Sequence, residues 1–180
     1  MCFAKETIIL SIVLSALQSC SLDIHSKYEV LRFLSKEITI PDNCLFVEQG
    51  DLHIATGLSR QGIARLFIIY TSKDCNECAV SHLDENNPLF SFANKDKRFE
   101  TVVVMTPKDE AFEDIVDRLI RKSYKYPVYL DKEGSIEAQL SSNQLFHIFL
   151  LDKNNKVQFI GNPLGSVGSL KKFTRKLKRL

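Results

Sequence analysis

The run Leu66-Phe-Ile-Ile-Tyr-Thr-Ser-Lys-Asp-Cys-Asn-Glu-Cys78 decides the fold of this 180-residue chain. The large apolar residues from Leu66 to Tyr70 have the length of a buried strand. A polar turn follows, so Cys75 lies where a helix would begin and Cys78 lies one turn further on. The first turn of a helix offers unpaired N–H groups and the positive end of the helix dipole, which stabilise a thiolate. The spacing therefore indicates a redox pair, Cys75 and Cys78, at a strand-to-helix corner.

The length and composition are those of a single globular domain with a sizeable core. Hydrophobic residues make up 44% of the chain, and the formal net charge is only +2. The sequence has no basic patch interleaved with aromatic residues, which argues against a nucleic-acid-binding protein. We expect neither a nucleic-acid partner nor a cofactor.

Residues 1–20 have the features of a targeting segment. The apolar run from Ile8 to Leu17 is too short to span a bilayer as a helix, and it ends in Ala16-Leu17-Gln18-Ser19-Cys20. A leucine three residues before a cysteine and a small residue just before it resemble the lipobox of bacterial lipoproteins, with Cys20 as the lipidation site. The alternative is an ordinary secretory signal cut near Ser19. Both interpretations predict export, and lipidation would anchor the protein in the cell envelope, facing the periplasm.

The predicted export affects how Cys44, Cys75 and Cys78 are interpreted. An exported protein meets oxidising conditions, which favour a redox pair over a reduced metal clamp at Cys75 and Cys78. Cys44 lies in an apolar stretch without an evident partner, and we expect it to be a small buried residue.

Alternating and helical patterns organise the rest of the chain. Residues 21–41 form a connecting region with a short helix predicted from Tyr28 to Lys36, burying Leu31 and Leu34. Residues 42–180 form one α/β domain with a mixed central sheet flanked by helices. Its predicted strands are Cys44–Val47, Leu52–Ala55, Leu66–Tyr70, Thr101–Met105, Pro127–Asp131, His147–Leu151 and Val157–Ile160. Four helices are predicted: one begins at Cys75, a second begins at Pro88, and a third spans Phe112–Ile120. The last helix buries one face, formed by Leu170, Phe173, Leu177 and Leu180.

This order of elements resembles the thioredoxin fold, and the segments are similar to the TlpA and ResA type of membrane-tethered thiol–disulfide oxidoreductase. Phe46 to Ala55 looks like the N-terminal β-hairpin of that family. The stretch Tyr126-Pro-Val-Tyr-Leu-Asp-Lys-Glu-Gly134 looks like its inserted strand. Phe149-Leu-Leu-Asp-Lys-Asn-Asn-Lys-Val157 is similar to its last hairpin, with Asn155 in place of the usual glycine.

The resemblance implies roles for three residues. Cys75 would be the attacking thiol, exposed at the helix end, and Cys78 the more buried resolving thiol. Phe146 occupies the position at which the family carries a cis-proline that faces the disulfide and binds substrate backbone. Phe146 is therefore the expected substrate-docking position, although a cis peptide is not expected there without proline.

Two carboxylates beside the sulfurs leave the thiolate chemistry open. Asp74 and Glu77 disfavour a thiolate, whereas the helix dipole favours one, and the two effects are of similar size. The sequence does not decide between them.

Three alternatives accompany the redox hypothesis. The pair could be a structural disulfide in a non-catalytic binding or scaffold lipoprotein. A second alternative is a copper-chaperone-like metal site, because His82 follows Cys78 by one helical turn and His147 adjoins Phe146. A third is a peroxidase, for which Ser72 has a suitable offset but Ile68 stands where a proline is needed.

The favoured interpretation is a lipid-anchored thiol–disulfide oxidoreductase of the cell envelope. Its expected partners are the thiols and disulfides of exported proteins, together with a membrane electron donor if it works as a reductase. We expect no metal in its site.

Overall fold

The computed structural model of the protein describes residues 28–41, 43–56, 63–108, 111–140 and 147–180. The chain forms two compact units, Met1–Phe33 and Leu34–Leu180. The predicted signal segment, with Cys20, lies outside the described residues, and so does Phe146.

The helix near the N-terminus is shorter than the sequence predicts. Residues 28–33 are helical, whereas the pattern predicts a helix from Tyr28 to Lys36. Ser35 has a left-handed φ of 68°, a conformation typical of the residue that follows a helix. The predicted burial of Leu31 is wrong, because 69% of this residue is exposed.

Leu34–Leu180 is built on a mixed sheet, in which the described strands follow the order β2-β1-β5-β4-β3-β6-β7. β3 lies parallel to β4, and β4 lies parallel to β5, whereas β6 is antiparallel to both β3 and β7. The four strands β4-β3-β6-β7 have the topology of the thioredoxin fold, and β5 with the β1–β2 hairpin extends the sheet on one side. The strands are β1 (Asn43–Glu48), β2 (Asp51–Thr56), β3 (Ala64–Tyr70), β4 (Phe99–Met105), β5 (Val128–Leu130), β6 (Ile148–Leu151) and β7 (Val157–Ile160).

The predicted β1–β2 hairpin is confirmed, with Gly50 in its turn. Gln49 and Gly50 connect the strands, with φ angles of 53° and 90°. Two positive φ angles give a turn the twist that suits adjacent antiparallel strands. A Cβ on Gly50 would lie 3.2 Å from the carbonyl oxygen of Ile120, so this position requires glycine for space as well as for conformation.

Among the described residues of Leu34–Leu180, four α-helices accompany the sheet. The predicted face of the third helix is confirmed, because Ile115, Val116 and Leu119 are buried. In the last helix Phe173 and Leu177 are buried, but Leu180 lies beyond the helix end and is 43% exposed, so its predicted burial is wrong. The helices are α1 (Asn76–Ser81), α2 (Asn87–Asp96), α3 (Phe112–Lys122) and α4 (Val167–Leu177), and two 3₁₀ turns span Leu83–Asn86 and Glu137–Gln139.

The main core joins all four helices to one face of the sheet. Leu66 and Ile68 of β3 belong to the same buried cluster as residues of α1, α2, α3 and α4. Because strand side chains alternate between faces, Phe67 points the other way, where its ring stacks on that of Phe149 at a centroid distance of 5.8 Å. β3 is thus buried on both sides, and the turn that follows it leads to the cysteine pair.

The chain before β1 protects the β7 edge of the sheet. Ser35 N–H donates to the Val157 carbonyl at 2.7 Å, and Val157 N–H donates to the Lys36 carbonyl at 2.9 Å. At the turn between β6 and β7, Asn155 has a left-handed φ of 59°. Asparagine tolerates this conformation, which explains how it replaces the glycine that the resemblance leads one to expect.

No helix in the described part of the chain combines the length and the apolar character needed to cross a bilayer.

Candidate redox site

The cysteine pair lies where the buried strand β3 gives way to helix α1, as the sequence predicts. Cys75 is the N-cap of α1, with an extended backbone at φ −73° and ψ 94°. The N–H of Cys78 points at Cys75 Sγ, at a distance of 3.4 Å. Cys75 therefore occupies the position from which a sulfur accepts hydrogen bonds from the first helical turn, and such bonds stabilise a thiolate.

Cys75 and Cys78 form a disulfide, with their Cα atoms 5.2 Å apart. The expectation that Cys78 is the more buried of the two stays a prediction, and both residues are exposed. The reason is the orientation of α1, whose buried residues are Asn76, Ala79 and Val80. Since residues three or four apart share a helix face, Cys78 is turned away from the face that Asn76 and Val80 bury.

Asp74 is held in the turn before the disulfide. One of its carboxylate oxygens, Oδ2, accepts from Thr71 N–H at 2.6 Å and from Thr71 Oγ1–H at 2.9 Å. The backbone N–H of Asp74 also donates to the Thr71 carbonyl at 3.0 Å. This carboxylate thus fixes the shape of the loop that presents Cys75.

Glu77, the acidic residue between the cysteines, pairs with a cation from another helix. Its Oε1 lies 3.4 Å from Nη2 of Arg118, and Arg118 Nε is also 2.7 Å from Asp114 Oδ2. All three side chains are substantially exposed, so solvent screens these pairs. The arrangement nevertheless offsets part of the repulsion that Glu77 exerts on a thiolate.

A second carboxylate, that of Glu137, clamps the same loop by accepting hydrogen bonds from Ser72. Ser72 N–H and Oγ–H donate to the two carboxylate oxygens of Glu137, at 2.7 and 2.9 Å. Glu137 begins a 3₁₀ turn that a buried carboxylate, Asp131, organises by accepting hydrogen bonds from Ser135, Ile136 and Glu137 N–H groups. Sequence reasoning missed this clamp, because its partners lie 65 residues apart and neither has a distinctive local pattern.

An open cavity of about 350 Å³ adjoins the disulfide. Its apolar wall is formed by the end of β3 and the start of β6. On its polar side, Tyr70 Oη accepts from Asn86 Nδ2 at 2.9 Å, and burial raises the pKa of Tyr70. The lining residues are Ile68, Ile69, Tyr70, Asp74, Cys75, Cys78, Ala79, His82, Glu85, Asn86, His147 and Ile148.

The two histidines considered as metal ligands both line this cavity. His82 Nδ1 is 2.8 Å from Glu85 Oε1, on an exposed part of the wall, and His147 lies beside Asp74. Within the described ranges, no group of three or more His, Cys, Asp or Glu side chains is arranged to hold a metal ion.

Cys44, the third cysteine of the domain, is buried as predicted. It is 6% exposed, and burial followed by the charge of Asp131 raises the pKa of its thiol. Cys44 is not bonded to either cysteine of the pair. Phe146, the predicted docking residue, falls outside the described residues, and its neighbour His147 is the first described residue after that gap.

Comparisons with known proteins find solved structures that are partly similar to this chain and distant from it in sequence. No protein-family model and no curated protein sequence matches the chain. Among solved structures, a Chlorobium tepidum protein provisionally assigned as the thiol:disulfide interchange protein DsbE is 17% identical, with a TM-score of 0.49 over 80% of this chain and 99% of its own. AhpC of Enterococcus faecalis is 14% identical, with a TM-score of 0.48 over 81% of this chain and 91% of its own.

A third similar structure is a secreted disulfide oxidoreductase of Mycobacterium tuberculosis, homologous to E. coli DsbE. It is 15% identical, with a TM-score of 0.41 over 75% of this chain and 95% of its own. At these identities and TM-scores the likeness assigns no activity to this chain. The strand order and the position of the disulfide give this chain a thioredoxin-like fold with a Cys-x-x-Cys pair at its strand-to-helix corner.

Proposed function

We propose that the protein is a thiol–disulfide oxidoreductase that exchanges disulfides with other proteins through Cys75 and Cys78. In the reducing direction, the Cys75 thiolate attacks a substrate disulfide and forms a mixed disulfide while the first substrate thiolate leaves. Cys78 then attacks Cys75 Sγ, forms the intramolecular disulfide and releases the second substrate thiolate. Two electrons pass from the pair to the substrate, and the opposite sequence of steps oxidises a substrate dithiol.

One observation carries the proposal: the disulfide is exposed at the N-cap of α1, at the rim of the cavity. A structural disulfide stabilises a fold most when it is buried and closes a long loop. This disulfide joins two exposed residues that are only three positions apart in the sequence. Access to a partner sulfur is the first requirement of exchange, and both sulfurs belong to exposed residues.

The loop geometry supports the same proposal. The Asp74 and Glu77 carboxylates, which by themselves disfavour a thiolate, are engaged by Thr71 and Arg118. Their effect on the sulfurs is weaker than the sequence alone suggests, so the hydrogen bond from Cys78 N–H to Cys75 Sγ is left to favour the thiolate.

We further propose that the protein works outside the cytoplasm. The lipobox-like Ala16-Leu17-Gln18-Ser19-Cys20 supports a lipid tether at Cys20 in the cell envelope. The substrates would then be exported proteins, and a membrane protein facing the periplasm would supply electrons if the pair works as a reductase.

The test is the reduction potential of the Cys75–Cys78 pair, measured by glutathione or dithiothreitol titration with alkylation and peptide-resolved mass detection. A Cys44→Ser variant serves as the matched control, because it removes the third thiol of the domain. We expect a potential between about −270 and −120 mV, the range of working thioredoxin-like proteins. A value below about −300 mV would identify a structural disulfide and favour the scaffold hypothesis.

A further inference from the structure

His147 is fixed at the end of β3 by both its backbone and its ring. Its carbonyl accepts from Ile69 N–H at 2.7 Å, and its ring Nδ1 lies 3.2 Å from the Ile69 carbonyl oxygen. A carbonyl oxygen only accepts, so Nδ1 must carry the hydrogen in this contact. In the neutral ring Nε2 is then the basic nitrogen, and it remains available to bind a proton.

The ring is held beside a carboxylate that is itself immobilised. His147 Nδ1 is 3.7 Å from Asp74 Oδ2, the same oxygen that two Thr71 donors hold in place. Asp74 is 25% exposed and His147 is 39% exposed, so the pair is partly shielded from solvent.

The other ionisable groups around His147 are few among the described residues. The cavity that His147 lines with Cys75 and Cys78 is also lined by Tyr70 at the end of β3 and by His82 and Glu85. His82 and Glu85 are paired to each other at 2.8 Å. Two imidazoles therefore share the cavity with both sulfurs, and they differ in their surroundings: the His82 side chain is 64% exposed, whereas that of His147 is 39% exposed and is held by the Ile69 carbonyl oxygen.

We propose that His147 is the proton-transfer residue of the Cys75–Cys78 pair, with its ring held by the Ile69 carbonyl oxygen and lying beside Asp74. The inference rests on the proposed exchange function. It deepens that function by assigning the proton acceptor, which the cysteines themselves do not provide.

The proton balance follows the two exchange steps. Nε2 takes the proton of the Cys75 thiol, and the thiolate forms a bond to one sulfur of the substrate disulfide as the substrate S–S bond breaks. The departing substrate thiolate receives the proton from His147. Nε2 next takes the proton of Cys78, whose sulfur displaces the second substrate thiolate from Cys75, and that thiolate is protonated in turn. Two electrons and two protons leave the pair.

The test measures how fast the reduced pair is oxidised by glutathione disulfide, from pH 5.5 to 9.5, by rapid alkylation and mass detection on the full chain. The variant is His147→Asn, whose side-chain amide keeps a donor close to the position of Nδ1 but has no counterpart of Nε2. His82→Asn is the matched control, because His82 lines the same cavity and is paired with Glu85 instead of Asp74. Thermal unfolding of each variant reports its stability.

We expect His147→Asn to slow oxidation by about tenfold or more near pH 7, as loss of a general acid–base group does. The deficit should disappear toward pH 9.5, above the ordinary thiol pKa of about 8.5, because the thiolate then forms without a base. His82→Asn should follow the wild-type profile throughout.

The outcomes separate this inference from the proposed function. If wild-type protein fails to react with glutathione disulfide at every pH, the exchange function itself fails. If wild type reacts and His147→Asn matches it, or is slower by the same factor at every pH, exchange stands but proton transfer by His147 is refuted. A pH-independent deficit would mean that the histidine only supports the loop.

Discussion

Replacing Asp131 by alanine should destabilise the protein and loosen the loop that carries the redox pair. Asp131 is 3% exposed, and its carboxylate accepts from the N–H groups of Ser135, Ile136 and Glu137 at 2.8 to 3.2 Å. It also accepts from Ser135 Oγ–H at 2.9 Å and from Thr106 Oγ1–H at 3.4 Å. The substitution removes the acceptor for five donors at once.

The magnitude follows from how well water can replace the lost acceptor. Ile136 is fully buried, so its N–H left without a partner costs about 1–3 kcal/mol. The N–H groups of Ser135 and Glu137 belong to partly exposed residues, and each loses a net bond of about 1 kcal/mol. The expected loss is about 3–5 kcal/mol. With a slope of about 2 kcal/mol per M, the urea midpoint should fall by roughly 1.5–2.5 M.

Asp152→Ala is the matched control. Asp152 also caps a turn, accepting from Asn154 and Lys156 N–H groups at 2.8 and 3.0 Å. These donors lie in the exposed β6–β7 turn, where water can replace the carboxylate, so we expect a loss of about 1 kcal/mol or less.

Urea unfolding is measured with the disulfide intact in every variant. The reasoning would be refuted by a loss below about 1 kcal/mol for Asp131→Ala, since the buried Ile136 N–H alone costs that much. An equal loss in Asp152→Ala would refute it too, because burial would then not set the cost.

Two further predictions concern Cys44 and Gly50. The raised pKa of the Cys44 thiol means that less of it is thiolate at a given pH. Cys44 should therefore react with iodoacetamide at pH 8 at least about tenfold more slowly in the native protein than in urea, and the rate of this reaction should increase as the pH rises. Comparable rates in native and unfolded protein would contradict its burial. Gly50→Ala should lower the free energy of unfolding by about 1–3 kcal/mol, because Gly50 has a φ of 90° and lies close to the Ile120 carbonyl. Gly168→Ala in α4 is the control: a Cβ there meets only ordinary contacts, so the substitution should raise the free energy of unfolding by about 0.5–1 kcal/mol. Urea unfolding tests both, and equal effects would exclude conformational strain at Gly50.

The elements that sequence reasoning located well are those that depend on neighbouring residues. The alternation around Gln49 and Gly50 was enough for the hairpin, and the apolar spacing from Phe112 was enough for α3. Local reasoning failed where a helix ends, at Ser35 and at Leu180, since an ending depends on where the chain goes next. It also overlooked Arg65, which is buried in β3 and bonded to Glu100 of the neighbouring strand at 2.8 Å.

The sequence by itself determined the thioredoxin-like order of elements and the cysteine pair at a strand-to-helix corner. These follow from hydrophobic period and from residues adjacent in the chain. Only the tertiary structure decided the surroundings of the pair: Glu77 meets Arg118, Ser72 meets Glu137, and His147 joins Asp74. These contacts link segments 41 to 73 positions apart in the chain. Residues so far apart in the sequence form no periodic pattern, and they come into contact only when the sheet brings its strands together.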